Sequence, residues 1–136
     1  MTQKKNKKQY GMPERQRLLN SWVMELGNYL MSEHDMDKKT AMELAHLNRE
    51  LIMRLGEGKV WFVYQKEDGT LREAKGTLCP GFSTEFDNYE PKDSKKKQDK
   101  WPMEQFIYWD LEKKDFRTFK ASRLIRIKEA RIVGRK

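Results

Sequence analysis

The chain has 136 residues, of which 37% are hydrophobic and 37% are charged, and its mean hydropathy is -1.01. This length fits one compact domain and argues against a two-domain enzyme. Charged residues exceed the roughly 25% that is usual in globular domains, so the apolar core must be small. No segment approaches the roughly 20 apolar residues of a membrane-spanning helix, and no signal peptide is apparent. With its single cysteine, Cys79, the chain is predicted to be cytoplasmic, without a membrane partner.

Charge is distributed unevenly along the chain. Residues 1–20 carry a net charge of +5 and residues 113–136 a net charge of +8, so the residues between them sum to -5. Such basic ends favour an anionic partner, and nucleic acid is the usual candidate. The alternative is that a pI near 9.5 only keeps a small domain soluble.

The N-terminal half is predicted to be helical. Lysines in residues 1–12 precede any apolar periodicity, which predicts a disordered basic arm. Apolar residues then recur at steps of three and four over residues 18–30 and again over 41–55, the spacing of one helical face. A polar break separates the two stretches, and Gly56 ends the second one. The pattern predicts a helical hairpin over residues 13–57.

Beyond Gly58 the chain becomes rich in aromatic and β-branched residues, which predicts strands. Asp68 and Gly69 separate two such runs, and this pair predicts a β-hairpin with a type I′ turn, whose central residues both need positive φ. The five predicted strands cover residues 59–66, 71–79, 105–110, 116–119 and 124–127.

The remaining C-terminal segments are polar. Residues 83–103 have few apolar residues and are predicted to form a long mobile loop, and residues 129–136 are predicted to form a basic tail. Five short strands in this arrangement predict a small, partly open barrel over residues 58–128. The predicted fold class is therefore α+β, with the helical hairpin followed by the five-stranded barrel.

The motifs of common enzyme classes are missing from the sequence. Two histidines, His34 and His46, and the distant Cys79 do not have the spacing of zinc ligands. Phosphate-binding loops, dinucleotide fingerprints and nucleophile elbows are also missing. Asp110 and Glu112 flank a predicted turn, where carboxylates usually face water. The sequence therefore predicts a protein that is not an enzyme and that uses no metal and no cofactor.

Basic and aromatic residues alternate in the C-terminal strands, over residues 116–128. Guanidinium groups bind phosphate oxygens in bidentate fashion, and exposed aromatic rings stack on bases. This pattern indicates nucleic-acid binding. The competing interpretation is that the aromatic rings fill the core of a small barrel. Residues 95–97, three lysines in the predicted loop, fit either a solvated segment or a sequence-independent phosphate contact.

Three stretches of the sequence, residues 58–78, 106–111 and 116–125, carry a resemblance to a known family. They resemble the WYL-2 group of Sm-like, SH3-type β-barrel proteins from Bacteroidetes and their phages, and the similarity covers about residues 56–128. The resemblance implies an SH3/Sm-like barrel. The larger WYL domain is a ligand-sensing barrel of bacterial transcription regulators and phage-defence regulators that is thought to bind nucleic acids or nucleotides.

The resemblance also implies a set of ligand-binding residues, to which the basic pattern of the last strand adds Arg126. Arginines are expected to neutralise phosphates, and an aromatic ring is expected to stack on a base. The candidate residues are Tyr64, Arg72, Arg117, Phe119, Arg123 and Arg126.

The expected function is a non-enzymatic regulatory module that binds a single-stranded nucleic acid or a nucleotide, in the cytoplasm of a bacterial host if the gene belongs to a phage. The alternative is an interaction or assembly protein whose barrel edges and helices contact a host or phage protein, or a second copy of the chain.

Overall fold

The computed structural model of this chain describes residues 11–89 and 105–132, with side chains described for residues 21–89 and 105–131. The chain divides into two compact units, Met1–Arg49 and Glu50–Lys136. Two helices come first in the chain and a five-stranded antiparallel sheet follows, so the predicted α+β fold class is confirmed.

The first unit contains helix α1 (Gly11–Glu33) and most of helix α2 (Lys38–Glu57), which continues into the second unit. Apolar residues at steps of three and four give each helix one buried face, as the sequence predicts. Among the described side chains, the buried apolar residues of this unit are Val23, Leu26, Leu30, Ala41 and Ala45. Residues 11 and 12 of the predicted disordered arm belong to α1, and the remainder of that arm lies outside the described residues.

A tight connection joins the two helices. Asp35 has a left-handed backbone conformation with φ of 55°, and the N–H of Met36 donates a hydrogen bond back to the carbonyl of Leu30. This geometry terminates α1, because a left-handed residue cannot continue a right-handed helix. The side chain of Met42 packs directly over Gly27, so the two helices lie in contact within this unit.

The second unit is built on one antiparallel sheet in the order β4-β3-β2-β1-β5. A short 3₁₀ turn (Ala121–Arg123) joins β4 to β5. β1 pairs along its length with both β2 and β5, but β2 and β3 pair only at Gly76↔Asp110 and Thr77↔Trp109 among the described residues. The strands are β1 (Gly58–Gln65), β2 (Leu71–Thr77), β3 (Gln105–Asp110), β4 (Asp115–Lys120) and β5 (Leu124–Ile132).

An aromatic cluster fills the inside of this sheet. Phe62 is central to it, with ring centroids 5.0 Å from Tyr108 and 5.7 Å from Phe119. Alternation along the strands places these rings on one face, where they exclude water. The buried residues of the five strands and the 3₁₀ turn include Val60, Phe62, Tyr64, Ala74, Phe106, Tyr108, Phe119, Ala121 and Leu124.

The β1–β2 hairpin uses a different turn from the predicted type I′. Asp68 does not have positive φ, and only Gly69 is left-handed, with φ of 92°. The N–H of Gly69 donates to the carbonyl of Lys66 at 2.9 Å, and the N–H of Lys66 donates to Thr70 at 2.8 Å. The loop therefore has three residues, 67–69, and its last residue is the left-handed glycine. A type I′ hairpin loop has two residues. The hairpin prediction stands, but the turn type was wrong.

Two predicted segment boundaries also differ from the structure. Ser83 caps a short helix, α3 (Thr84–Asp87), inside the predicted loop 83–103, because its side chain accepts a hydrogen bond from the N–H of Phe86. β5 continues to Ile132, four residues into the predicted tail, because it pairs with the first residues of β1. Residues 90–103 and 133–136 of these segments lie outside the described residues.

None of the helices in the described residues combines the length and the apolar character needed to cross a membrane.

Candidate functional site

A cavity of about 610 Å³ opens in the second unit beside the β1–β2 turn. Residues from β1, β2, β3, β4, the β1–β2 turn, the β3–β4 turn and the 3₁₀ turn line it, so the strand pairing of the sheet brings together parts of the sequence that are far apart. The lining residues fall into cations, carboxylates, aromatic rings and neutral polar groups. They are Tyr64, Gln65, Lys66, Glu67, Asp68, Arg72, Gln105, Lys113, Arg117, Thr118, Phe119, Lys120 and Arg123.

Six cationic side chains but only two carboxylates line the cavity. Lys120 is paired with Glu67 at 3.0 Å, and Arg123 donates a hydrogen bond to the carbonyl of Lys66 at 3.2 Å. Asp68 accepts hydrogen bonds from Thr70. The cavity therefore has an excess of positive charge, which favours an anionic ligand.

Arg117 differs from the other two arginines of the cavity, which are held by Asp110 and by the carbonyl of Lys66. It is exposed on β4, and within the described residues its side chain has no hydrogen bond or ion pair. A guanidinium group in this state keeps all its donors for a ligand, and its planar fork matches the oxygens of a phosphate.

The aromatic floor of the cavity consists of Tyr64 and Phe119, whose ring centroids lie 5.5 Å apart. Both residues belong to the core, with exposed fractions of 5% and 3%. Neither offers a whole ring face to a ligand. These rings can contact a base only at their exposed atoms, so the charge of the cavity contributes more to its binding capacity than stacking does.

Arg72 enters the cavity wall from β2 and forms an ion pair with Asp110 at the end of β3. The Asp110 carboxylate is fully buried and also accepts hydrogen bonds from the N–H groups of Glu112 and Lys113, both at 2.9 Å. Burial alone would raise the pKa of Asp110, but these donors outweigh it and lower the pKa. The carboxylate is therefore held in its charged form.

The guanidinium of Arg72 is fixed by the same network. Burial alone would lower its pKa, but hydrogen bonds with Asp110 and Tyr108 raise it. The Tyr108 hydroxyl also lies 2.9 Å from that of Tyr64, and burial together with this contact raises the pKa of Tyr108. The network links one wall of the cavity to its floor and fixes the position of a positive charge.

The structure brings five of the six predicted site residues to this cavity, namely Tyr64, Arg72, Arg117, Phe119 and Arg123. Arg126 does not line it. In the β1–β5 register Leu124 opposes Tyr64 and Arg126 opposes Val63, so a bulge at Ile125 turns Arg126 to the outer face of the sheet. The structure therefore separates Arg126 from the other five, and simple alternation in the sequence does not reveal the bulge that does so.

Sequence reasoning missed several residues of the site. It interpreted Asp110 as a turn carboxylate facing water, which is wrong, since its partner Arg72 lies on another strand. An aspartate that ends a strand before a turn often accepts backbone N–H groups, and this signal is visible in the sequence. Lys66, Lys113 and Lys120 gave no signal, because only the sheet order brings them together.

The described residues contain no group of three histidine, cysteine or acidic side chains close enough to hold a metal ion.

Comparison with known proteins identifies the domain. The model of the WYL_2 family, described as an Sm-like SH3 β-barrel fold, matches residues 48–125, which cover β1 to β4 and the cavity. Searches of the curated proteins and of the solved structures found no match. The match spans more than half of the chain. The chain belongs to the WYL_2 family of Sm-like SH3 β-barrel proteins.

Proposed function

We propose that this chain is a non-enzymatic regulatory module that holds a single-stranded nucleic acid or a nucleotide in the cavity of its barrel. An Sm-like barrel domain is consistent with a binding or regulatory module. The observation that carries the finer proposal is the excess of cations in the cavity, six against two carboxylates. Phosphate groups match such a site, because arginine binds their oxygens in bidentate fashion and lysine neutralises their charge.

The dimensions of the cavity support the same ligand class. Its volume of about 610 Å³ lies within the roughly 300 to 1,000 Å³ of sites for small molecules. One nucleotide, or one segment of a strand, is of this size. Arg117 supplies a free guanidinium for the phosphate, and Arg72, held by its ion pair with Asp110, adds a guanidinium that does not need to be ordered on binding.

Binding to phosphates is measured by fluorescence anisotropy. The probes are a labelled oligo(dT) strand, an oligo(U) strand of equal length and a fluorescent ATP analogue. Strands of about twelve nucleotides suit a barrel, since one OB-type barrel covers roughly 4 to 16. We expect binding that weakens steeply between about 50 mM and about 200 mM salt, because phosphate contacts release counterions.

The variant that tests the cavity is Arg117→Ala, with Arg54→Ala as the matched control. Arg54 lies on α2, outside the cavity lining. Its replacement by alanine makes the same change in charge and volume as Arg117→Ala. We expect about tenfold weaker binding for the first, the loss typical of one charged hydrogen bond, and no change for the control. Equal affinities in both variants, or wild-type binding that ignores salt, would contradict the proposal.

A second candidate function is protein assembly. β4 and β5 form the two edges of the sheet, and the exposed side chains include Ile107 and Ile125, with exposed fractions of 46% and 40%. Exposed edge strands can pair with another chain. Light scattering at increasing concentration distinguishes the two functions. A defined oligomer together with no oligonucleotide binding would favour assembly.

A further inference from the structure

A second group of cations surrounds Trp61 on the outer face of the sheet. Trp61 is partly exposed on β1, between the buried Val60 and Phe62. The Nζ atoms of Lys75 and Lys59 lie 5.0 Å and 5.7 Å from the centroid of its ring. The Cζ atom of Arg131 lies 5.4 Å from the same centroid.

Strand pairing explains this cluster. Lys75 on β2 is directly opposite Trp61, and Arg131 on β5 is directly opposite Lys59. Residues directly opposite each other in an antiparallel pair lie on the same face of the sheet. The four side chains therefore share one outer surface, and none of them lines the cavity.

The positive charges of this cluster are only partly neutralised. Arg131 is paired with Glu129 at 2.7 Å. The ammonium groups of Lys59 and Lys75 have no carboxylate partner among the described residues and rest only against aromatic rings, Lys59 also lying 5.5 Å from the ring centroid of Phe82. Cations that share one ring repel each other, and a bound anion would relieve this repulsion.

Arg126 lies between this cluster and the cavity. Gln65 lines the cavity, and the alternate residues Val63 and Trp61 follow on the outer side of β1. Arg126 is opposite Val63 and exposed. With a rise of about 3.3 Å per residue, Trp61 is roughly 13 Å from Gln65, a distance that a chain of several nucleotides spans and a single nucleotide does not.

We propose that the surface formed by Lys59, Trp61, Lys75, Arg126 and Arg131, here the Trp61 surface, binds the continuation of the strand that occupies the cavity. The identity of the ligand rests on the proposed function. The partner is a single-stranded nucleic acid, because its phosphates match the unpaired ammonium groups and its bases match the partly exposed indole ring. An acidic peptide would use the cations but would bring no flat aromatic surface to the exposed part of the ring.

The Trp61 surface is tested with the double variant Lys59→Glu, Lys75→Glu. Its matched control is Lys38→Glu, Lys39→Glu, which makes the same change in net charge at the exposed start of α2. The probes are the oligo(dT) strand of about twelve nucleotides and the ATP analogue. Circular dichroism checks that each variant is folded, and Lys59→Gln, Lys75→Gln replaces the charge reversal if it unfolds the barrel.

We expect the double variant to bind the strand at least about tenfold more weakly than the control, and to bind the ATP analogue equally well. The magnitude of the slope of log affinity against log salt concentration should fall by about 1.4, because each of the two lost phosphate contacts contributes about 0.7. Trp61→Leu should weaken strand binding about tenfold, the usual effect of losing one stacked base. Strand affinity equal to that of the control would overturn the proposal, as would equal competition by a poly-glutamate peptide.

The outcomes also separate this proposal from the function of the cavity. If Arg117→Ala weakens binding of both probes about tenfold and the Lys59, Lys75 variant matches its control, the cavity function stands and the Trp61 surface does not. If strand binding survives Arg117→Ala but is lost in the Lys59, Lys75 variant, the Trp61 surface stands and the cavity function fails. A wild-type protein that binds neither probe overturns both.

Discussion

Asp110 is a carboxylate buried at the end of β3, and its charge is balanced from several directions. Two backbone N–H groups of the β3–β4 turn and the guanidinium of Arg72 all donate to it. A buried ion pair contributes little net stability over an apolar pair, but removing one partner leaves an uncompensated buried charge. The pair is therefore important mainly because it fixes Arg72 in the cavity wall.

Asp110→Asn should lower the free energy of unfolding by about 3 kcal/mol, because the amide keeps the shape of the side chain but leaves Arg72 without its anion. Urea denaturation measures this difference. Asp115→Asn is the matched control, since Asp115 is exposed at the start of β4 and should change stability by less than about 0.5 kcal/mol. Equal losses in the two variants would show that Arg72 does not depend on Asp110.

The stabilising effect of Asp110 should depend on pH in a defined direction. Its pKa is lower in the folded chain than the ordinary value of 3.8, so the unfolded chain takes up its proton first as the pH falls. The stability gained from the ionised group is fully present well above pH 3.8 and is lost as the pH falls through the folded-state pKa. The difference in unfolding free energy between wild type and Asp110→Asn should be constant near neutral pH and shrink in acid. A difference that stays constant down to pH 3 would contradict the lowered pKa.

Individual residues of the site could be predicted from the sequence only where a local pattern marks them. Arg117 and Arg123 stand in a stretch of the sequence where aromatic and basic residues alternate, and the structure places both at the cavity. The pairing of Arg72 with Asp110 could not be predicted. The two residues are 38 positions apart and meet through the pairing of β2 with β3.

Two glycines are required in the barrel for different reasons, one in the β1–β2 turn and one in β2. Gly69 needs its left-handed backbone, with φ of 92°, but a Cβ there would meet no atom within 4 Å. At Gly76 a Cβ would lie 2.6 Å from the ring of Tyr108 and 3.2 Å from the carbonyl oxygen of Trp109. The first glycine serves the turn, and the second lets β3 approach β2.

Alanine at these two positions should therefore have different effects. Gly69→Ala should cost about 1 kcal/mol of stability, the cost of a left-handed backbone, and Gly69→Asn should recover part of it. Gly76→Ala should cost about 3 kcal/mol, because Tyr108 must move and its contact with the Tyr64 hydroxyl is disturbed. Urea denaturation of the three variants measures the costs. The opposite ranking of the two alanine variants would refute this account of the sheet.

Secondary structure could be predicted well where periodicity alone decides it. β3 covers the predicted residues 105–110, and both helices coincide with the predicted hairpin to within a few residues. α3 could not be predicted, because its four residues are held by contacts of Phe86 with Trp109 and Phe116, which come from distant strands. The bulges of β5 are likewise a product of pairing with β1.

For the whole molecule, charge sets how salt affects stability and binding. The formal net charge is +8, and the sheet order gathers cations from the middle and the C-terminal part of the chain into one cavity. The sequence predicts the charge, but not where it concentrates. Residues 21–112 carry a net negative charge, yet they contribute Lys66 and Arg72 to the cavity. The net charge of a segment does not show which of its side chains reach the cavity.

Salt should therefore stabilise the fold while it weakens ligand binding. Moderate sodium chloride should raise the melting temperature, because it screens repulsion among the cations. Inorganic pyrophosphate at the same ionic strength should raise it further by binding the folded state, and less so in Arg117→Ala. Differential scanning fluorimetry measures both effects. A pyrophosphate effect that is no larger than that of chloride would speak against a phosphate site.

The short pairing between β2 and β3 leaves part of β2 with one strand neighbour. On the side away from β1, the described residues give β2 a strand partner only at Gly76 and Thr77. The carbonyl oxygen of Lys75 accepts a hydrogen bond from the N–H of Leu111, so the backbone groups of Lys75 point away from β1. Glu73 is two residues earlier in the same strand, so its N–H and carbonyl point to that side as well. The Glu73 amide, next to Arg72 in the cavity wall, should thus exchange its hydrogen with deuterium quickly in the free protein. Mass spectrometry of deuterium exchange at this amide therefore reports whether a ligand occupies the cavity beside Arg72.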